Sequence, residues 1–188
     1  TLRNSSAASD VYKRQDRLRP TRFDDVVGQR GLLAPDAPLR RMVEQDRLVS
    51  SILWGPPGCG KTTLARLMAE IGAFHFEQIS AIFAGVADLK KVFEGARARR
   101  QDGQQTLLFV DEIHRFNKSQ QDSFLPVVED GTIVLLGATT ENPSFELNAA
   151  LLSRCQVRGL ERLEAQDRDE LLAWAEARPS RSSAAWCS

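Results

Sequence analysis

Cysteine is scarce in this chain. Among 188 residues there are three, Cys59, Cys155 and Cys187. Their odd number and wide spacing argue against a disulfide framework or a zinc site and fit a reducing compartment. Long apolar runs are lacking too. None approaches the ~18 residues that a membrane-spanning helix requires, so no membrane partner and no secretory leader is expected. Excess charge of either sign is also absent, with 25 basic and 25 acidic residues. Any nucleic-acid contact must therefore come from a local patch or from assembly. What remains is a length and a hydrophobic content of 42% that suit one globular domain with a real core.

The stretch that organises the chain is Ser51-Ile-Leu-Trp-Gly-Pro-Pro-Gly-Cys-Gly-Lys-Thr-Thr63. Ser51 to Trp54 reads as a buried strand, Gly55 to Gly60 as a glycine-rich turn, and Leu64 to Ile71 as an apolar-periodic helix starting near Lys61. Strand, G-x-x-x-x-G-K-[ST] and helix together are a phosphate-binding loop in its required context; the bland alternative is a chance glycine-rich turn. Glycines let the backbone curl so that several N–H groups face one phosphate, and the helix start adds unpaired N–H groups and a positive dipole end. Gly55, Pro56, Pro57, Gly58, Cys59, Gly60, Lys61, Thr62 and Thr63 are the candidate binding residues. Lys61 is expected at the β- and γ-phosphates and the Thr62 hydroxyl on Mg²⁺. Cys59 reads as a small tolerated side chain rather than a nucleophile.

The polar Thr1 to Gln15 segment is expected to be disordered. The word Ser5-Ser-Ala-Ala8 recurs as Ser182-Ser-Ala-Ala185. Both ends are expected to be non-native adapter sequence, with chance recurrence the alternative. Leu18 to Gln29 reads as extended chain and turn. Its Phe23, Val26 and Val27 either anchor the segment to the core or line a flat pocket for a base, and on their own the anchoring role is favoured. Pro38 to Arg47 is predicted as a short surface helix.

Beyond the stop expected at Gly72, Phe74 to Ile79 is a predicted strand whose His75 reads as a strand residue rather than a catalyst. From Val86 a helical stripe of Leu89, Val92, Phe93 and Ala96 carries Lys90, Lys91, Arg97, Arg99 and Arg100 on its other face, by default a solvated face, with nucleic-acid contact the sharper alternative. Thr106 to Val110 is a fully apolar strand that ends in Asp111-Glu112, fifty residues after Lys61. Two carboxylates closing a buried strand are costly unless they meet a cation or a reacting group. This is the form of a Walker B element, with Asp111 on Mg²⁺ and Glu112 as the base for an attacking water. Asn117 to Asp130 is expected to be helical, capped by Asn117 and split or kinked at Pro126. Thr132 to Ala138 is the next strand, with Thr140 just beyond its tip. Asn148 to Ser153 is a short helix, Gln156 to Leu160 a last strand, and Leu163 to Ala177 a helix. Strands alternating with amphipathic helices predict an α/β fold with ligands at the carboxyl ends of a parallel sheet.

Over nearly all of Arg17 to Ala177 the chain resembles the AAA+ ATPases. Gly-Pro-Pro-Gly-Cys-Gly-Lys-Thr stands as Walker A, Phe-Val-Asp-Glu as Walker B and Thr140 as sensor 1. Leu152-Ser-Arg-Cys155 matches the Ser-Arg-Cys element of clamp-loader relatives, which implies that Arg154 is an arginine finger. Arg19-Pro20 through Gly28-Gln29 matches the segment that wraps the adenine, which moves Val26, Val27 and Gly28 towards ligand contact. The resemblance implies a five-stranded parallel sheet in the order 5-1-4-3-2. It also implies a division into a core over 17–162, the start of a helical lid over 163–177, and non-native ends at 1–16 and 178–188. The runs Ile113-His-Arg-Phe-Asn-Lys-Ser-Gln-Gln-Asp122 and Gly137-Ala-Thr-Thr-Glu-Asn-Pro-Ser-Phe-Glu-Leu-Asn148 are similar to the replication-associated recombination protein A family.

That family implies a homo-oligomeric, DNA-stimulated ATPase at stalled or damaged replication forks, working beside single-strand-binding protein in the bacterial cytoplasm at the nucleoid. ATP and Mg²⁺ are the implied cofactors, and Arg154 would act on nucleotide bound to a neighbouring subunit. The resemblance implies that the rest of the family's lid, with its sensor 2 arginine, and its C-terminal oligomerisation region are not in this sequence. A clamp-loader subunit, a RuvB-like branch-migration motor and a non-hydrolysing nucleotide-dependent scaffold are the alternatives.

Overall fold

The computed structural model describes residues 20–45 and 47–177, with the side chains of 174–177 left aside. The expectations for the two ends lie outside these residues. A 3₁₀ turn at Phe23–Asp25 precedes α1 (Arg30–Leu33) and α2 (Pro38–Glu44). The core then runs β1 (Ser51–Trp54), α3 (Lys61–Ile71), β2 (His75–Ser80), α4 (Val86–Gln101) and β3 (Thr106–Asp111). It continues with α5 (Lys118–Asp122), α6 (Leu125–Glu129), β4 (Ile133–Thr139), α7 (Pro143–Glu146), α8 (Ala149–Leu152), β5 (Gln156–Gly159) and α9 (Ala165–Ala177).

All strand pairs are parallel and the sheet order is β2-β3-β4-β1-β5, which is the predicted order read from the other edge. Side chains alternate across the central strands, as the strand period of two demands. Leu107 and Phe109 of β3, Leu136 of β4 and Leu53 of β1 face a core shared with Leu64, Leu67 and Met68 of α3. Leu108 and Val110, Leu135 and Ile52 face the other core, with Leu89, Val92 and Phe93 of α4 and Phe124. Helices thus cover both faces, and a near-continuous apolar run in β3 and β4 is the sequence form of that burial.

Several boundaries move. The second strand begins at His75 rather than Phe74, and the fourth runs Ile133–Thr139. Pro126 does divide the segment after Asn117: it sits in the first turn of α6, where its missing N–H costs no helical bond. Helix α3 stops at Gly72 as expected, its C-cap with φ −84, and the left-handed residue that turns the chain is the next one, Ala73, with φ 52. Two short helices, α1 and α7, were not foreseen. On the basic face of α4, Arg99 binds Glu77 and Thr106, and Arg100 reaches Thr132 and Asp130. Two of the five cations therefore serve the fold. Among the described residues no helix is long and apolar enough to cross a membrane.

Candidate nucleotide-binding site

β1, β4 and β3 are adjacent, and their register sets the site. Trp54 lies opposite Thr139, and Val110 opposite Gly137. The Gly55 N–H continues the ladder to the Thr139 carbonyl at 3.2 Å. The glycine-rich loop and Asp111-Glu112 therefore leave the sheet two strands apart, about 10 Å at the usual strand spacing, with Thr140 between them.

Loop and strand ends enclose a cleft of about 400 Å³, lined by Pro57, Gly58, Gly60, Lys61, Thr62, Thr63, Asp111, Glu112 and Thr140. Gly58 and Gly60 have φ of +77° and +92°, a left-handed conformation that favours glycine, and a Cβ on either would meet nothing within 4 Å. The backbone there is curled and faces open space, as close approach of an oxyanion requires. Helix α3, eleven residues long, starts at Lys61 and directs its first N–H groups to the same end.

Lys61 is only 8% exposed. Its Nζ donates to the carbonyls of Gly55 at 2.7 Å and Pro56 at 2.9 Å, and lies 3.8 Å from the Cys59 Sγ. Gly55 and Pro56 thus hold the lysine rather than line the cleft. Cys59 is buried in the core beside Leu64. Opposite the loop, the Thr140 Oγ1 donates to the Glu112 Oε2 at 3.4 Å. Among the described residues no three His, Cys, Asp or Glu side chains gather as a metal cage. The Thr62 hydroxyl and the Asp111 carboxylate are hard oxygen donors in one cleft. That set fits Mg²⁺, which takes one or two protein ligands and completes its shell with water and phosphate oxygens.

Residues 51–162 match the family model described as the ATPase family associated with various cellular activities (AAA). This chain belongs to the AAA family. It is similar to replication-associated recombination protein A of Escherichia coli, 54% identical over 159 residues, 85% of this chain and 36% of that protein. The protein of the same name from Coxiella burnetii is 55% identical over 85% of this chain and 36% of its own length. Among solved structures the chain is similar to the RuvB Holliday junction branch migration motor of Thermotoga maritima, with a TM-score of 0.66 and 27% identity, covering 85% of this chain and 54% of that one. The AAA domain described here spans little more than a third of the curated relatives it matches.

Besides Gly55, Pro56 and Cys59, four expected site residues of this AAA domain lie outside the cleft lining. Arg154, in the turn between α8 and β5, is held by Glu129, with its Nε 2.5 Å from Oε1, and its Nη1 donates to the Ala150 carbonyl at 2.7 Å. Val26 packs against the core that contains Cys59 and Leu64, next to the phosphate loop. Val27 is half-buried. Gly28, at φ +74°, is so close to the chain after β5 that a Cβ would stand 2.6 Å from the Leu163 Cδ2.

Three further residues shape the site and were not singled out from the sequence. Gln29 is 7% exposed. Its Nε2 donates to the Glu161 carbonyl at 2.7 Å and reaches the Cys59 carbonyl at 3.4 Å, while its Oε1 accepts the Glu161 N–H at 3.0 Å. One side chain thereby ties the Val26–Gly28 segment to the phosphate loop and to the chain leaving β5. The others are His114 and Thr139, whose side chains meet at 2.9 Å behind Glu112. The signal for His114 was its place two residues after Glu112, where a 3₁₀ turn brings it back.

Proposed function

We propose that this chain binds ATP and hydrolyses it, as the ATPase core of a DNA-dependent replication and recombination maintenance protein acting at stalled or damaged forks. One observation carries the reading: Lys61, Thr62, Asp111, Glu112 and Thr140 line a single cleft at the carboxyl ends of adjacent strands. In-line attack of water on the γ-phosphate needs little covalent chemistry from the protein, so catalysis is positioning and charge stabilisation. The loop N–H groups and the start of α3 bind the phosphates, and Lys61 turns its ammonium from the loop carbonyls to phosphate oxygens. Thr62 and Asp111 hold Mg²⁺, which supplies charge neutralisation when bound. Glu112 takes the proton of the attacking water, and Thr140 orients that water and the carboxylate. Arg154 acts in trans on the site of a second copy, and Val26, Val27 and Gly28 contact the adenine.

The fork-associated role rests on the resemblance to replication-associated recombination protein A, at 54% identity against 27% for RuvB. DNA, further copies of this chain and single-strand-binding protein are its proposed partners, in the bacterial cytoplasm. The proposed division ends the core at 162 and begins a helical lid at 163. Titration of the intact protein with labelled ATP, with turnover measured with and without DNA ends, tests the reading. Saturable Mg²⁺-dependent binding and DNA-stimulated turnover are expected. Binding without turnover would leave a scaffold, and absence of both would end the proposal.

A further inference from the structure

Glu112 has a left-handed backbone, φ 53°, which L side chains rarely adopt. The chain reverses there because the Arg115 N–H donates to the Glu112 carbonyl at 2.8 Å, closing the 3₁₀ turn Ile113–Arg115. Ile113, fully buried, pins that turn to the sheet. The turn brings the His114 ring back over the Glu112 carboxylate. The His114 side chain is 7% exposed, and its Nδ1 is 3.4 Å from Glu112 Oε2 and 2.9 Å from Thr139 Oγ1.

The partners favour a proton on Nδ1. An ionised carboxylate offers only lone pairs, so an Nδ1 facing it carries hydrogen. Thr139 Oγ1 accepts the Glu141 N–H at 3.1 Å and has one proton to give, which goes to the Glu141 carbonyl at 3.2 Å. The one Nδ1–H is then shared between Thr139 Oγ1 at 2.9 Å and Glu112 Oε2 at 3.4 Å. The other tautomer would set the Nδ1 lone pair against the carboxylate and send the Thr139 proton to the ring instead.

We propose that His114, as its Nδ1–H tautomer, is a positioning residue of the hydrolytic site. It holds Glu112 Oε2 from the β3 side while Thr140 holds the same oxygen from the β4 side, and through Thr139 it ties the carboxylate to the end of β4. Both donors address Oε2, which leaves Oε1 to accept the proton of water. His114 acts through Glu112 and touches no phosphate. The inference rests on the reading of Glu112 as the base.

Two variants of the intact protein separate the donor from the ring. His114→Asn places an amide N–H where Nδ1 stands and should keep most of the turnover number. His114→Phe keeps a ring and loses the donor; kcat should fall about 10–100-fold, the scale of outer partners of site ligands, with KM for ATP within about threefold of wild type. In a Glu112→Gln background His114→Phe should cost little more, because the two act as one unit.

A readout independent of turnover is the ¹⁵N spectrum of the imidazoles. The chain has two histidines, and His114→Phe assigns them. His114 should show a protonated Nδ1 and an unprotonated Nε2. An Nε2–H tautomer, wild-type kcat in His114→Phe, or equal loss in the Asn and Phe variants overturns the inference. If His114→Phe lowers the melting temperature by more than a few degrees, Thr139→Val replaces it. That variant must lower kcat without raising KM, or the inference fails. If instead Glu112→Gln turns over like wild type, the ATPase reading itself has failed and this inference falls with it.

Discussion

Arg154 is bound to Glu129, 25 residues earlier in the chain at the end of α6, and does not line the cleft that contains Lys61 and Glu112. An arginine that serves its own fold would be missed when the fold is challenged. An exposed pair of this kind is worth only about 0–1 kcal/mol, so Arg154→Ala should barely move the melting temperature. If Arg154 acts in trans, the same change should lower turnover about 10³–10⁵-fold while ATP still binds. Mixing Arg154→Ala with Lys61→Ala protein should restore some turnover, because some interfaces then pair an intact loop with an intact finger. No recovery while subunits exchange would reduce Arg154 to a brace.

Gln29 grips the backbone of Glu161 through both ends of its amide, across 132 residues. Gln29→Ala leaves a carbonyl and an N–H without this partner in a part-buried setting. A loss of about 1–3 kcal/mol in chemical denaturation is expected, with weaker ATP binding as the Val26–Gly28 segment loosens. A change below about 0.5 kcal/mol would mean that water replaces the amide at no cost.

Gly55 has no room for a side chain. A Cβ there would stand 2.6 Å from the Leu160 carbonyl oxygen and 3.1 Å from the Cys59 Sγ. The first is backbone and cannot rotate aside. Gly55→Ala should therefore destabilise by about 1–3 kcal/mol and weaken ATP binding, since the same residue's carbonyl receives Lys61. Unchanged binding in a stable variant would show that the loop tolerates the shift.

Burial pushes the Cys155 thiol up to about 12. The thiolate is the reactive form, so at pH 8 almost none is available in the folded chain. Iodoacetamide should modify Cys155 slowly in native protein and many-fold faster in denaturant, as read by peptide mass spectrometry. Equal rates would mean that the thiol is not enclosed.

Uniformly apolar runs closed by glycine or by acids made β1, β3 and β4 legible in the sequence, and Asn117 and Pro126 marked their helices by local chemistry. Lys61, Asp111, Glu112 and Thr140 were legible because a parallel sheet delivers successive strand ends to one side. Their joint cleft is the part of the candidate site that sequence order dictates. The short helix Pro143–Glu146 was missed although Asn142 caps it and Pro143 starts it, since one turn is too short to show a period. The grip of Gln29 on Glu161 and of Glu129 on Arg154 is set by packing between distant segments, which no local pattern encodes. His114 was hidden differently: only the left-handed backbone at Glu112 turns its neighbour back onto the carboxylate.

The central claim is that Glu112 is the base of an ATP-hydrolysing site, and Glu112→Gln tests it most directly. ATP affinity and single-turnover hydrolysis should be measured on the same preparation of the intact protein. ATP affinity should stay within about threefold of wild type while the hydrolysis rate falls by about 10²–10⁴-fold, the scale of a general base. Hydrolysis at the wild-type rate, or affinity that falls as far as the rate does, would contradict that claim.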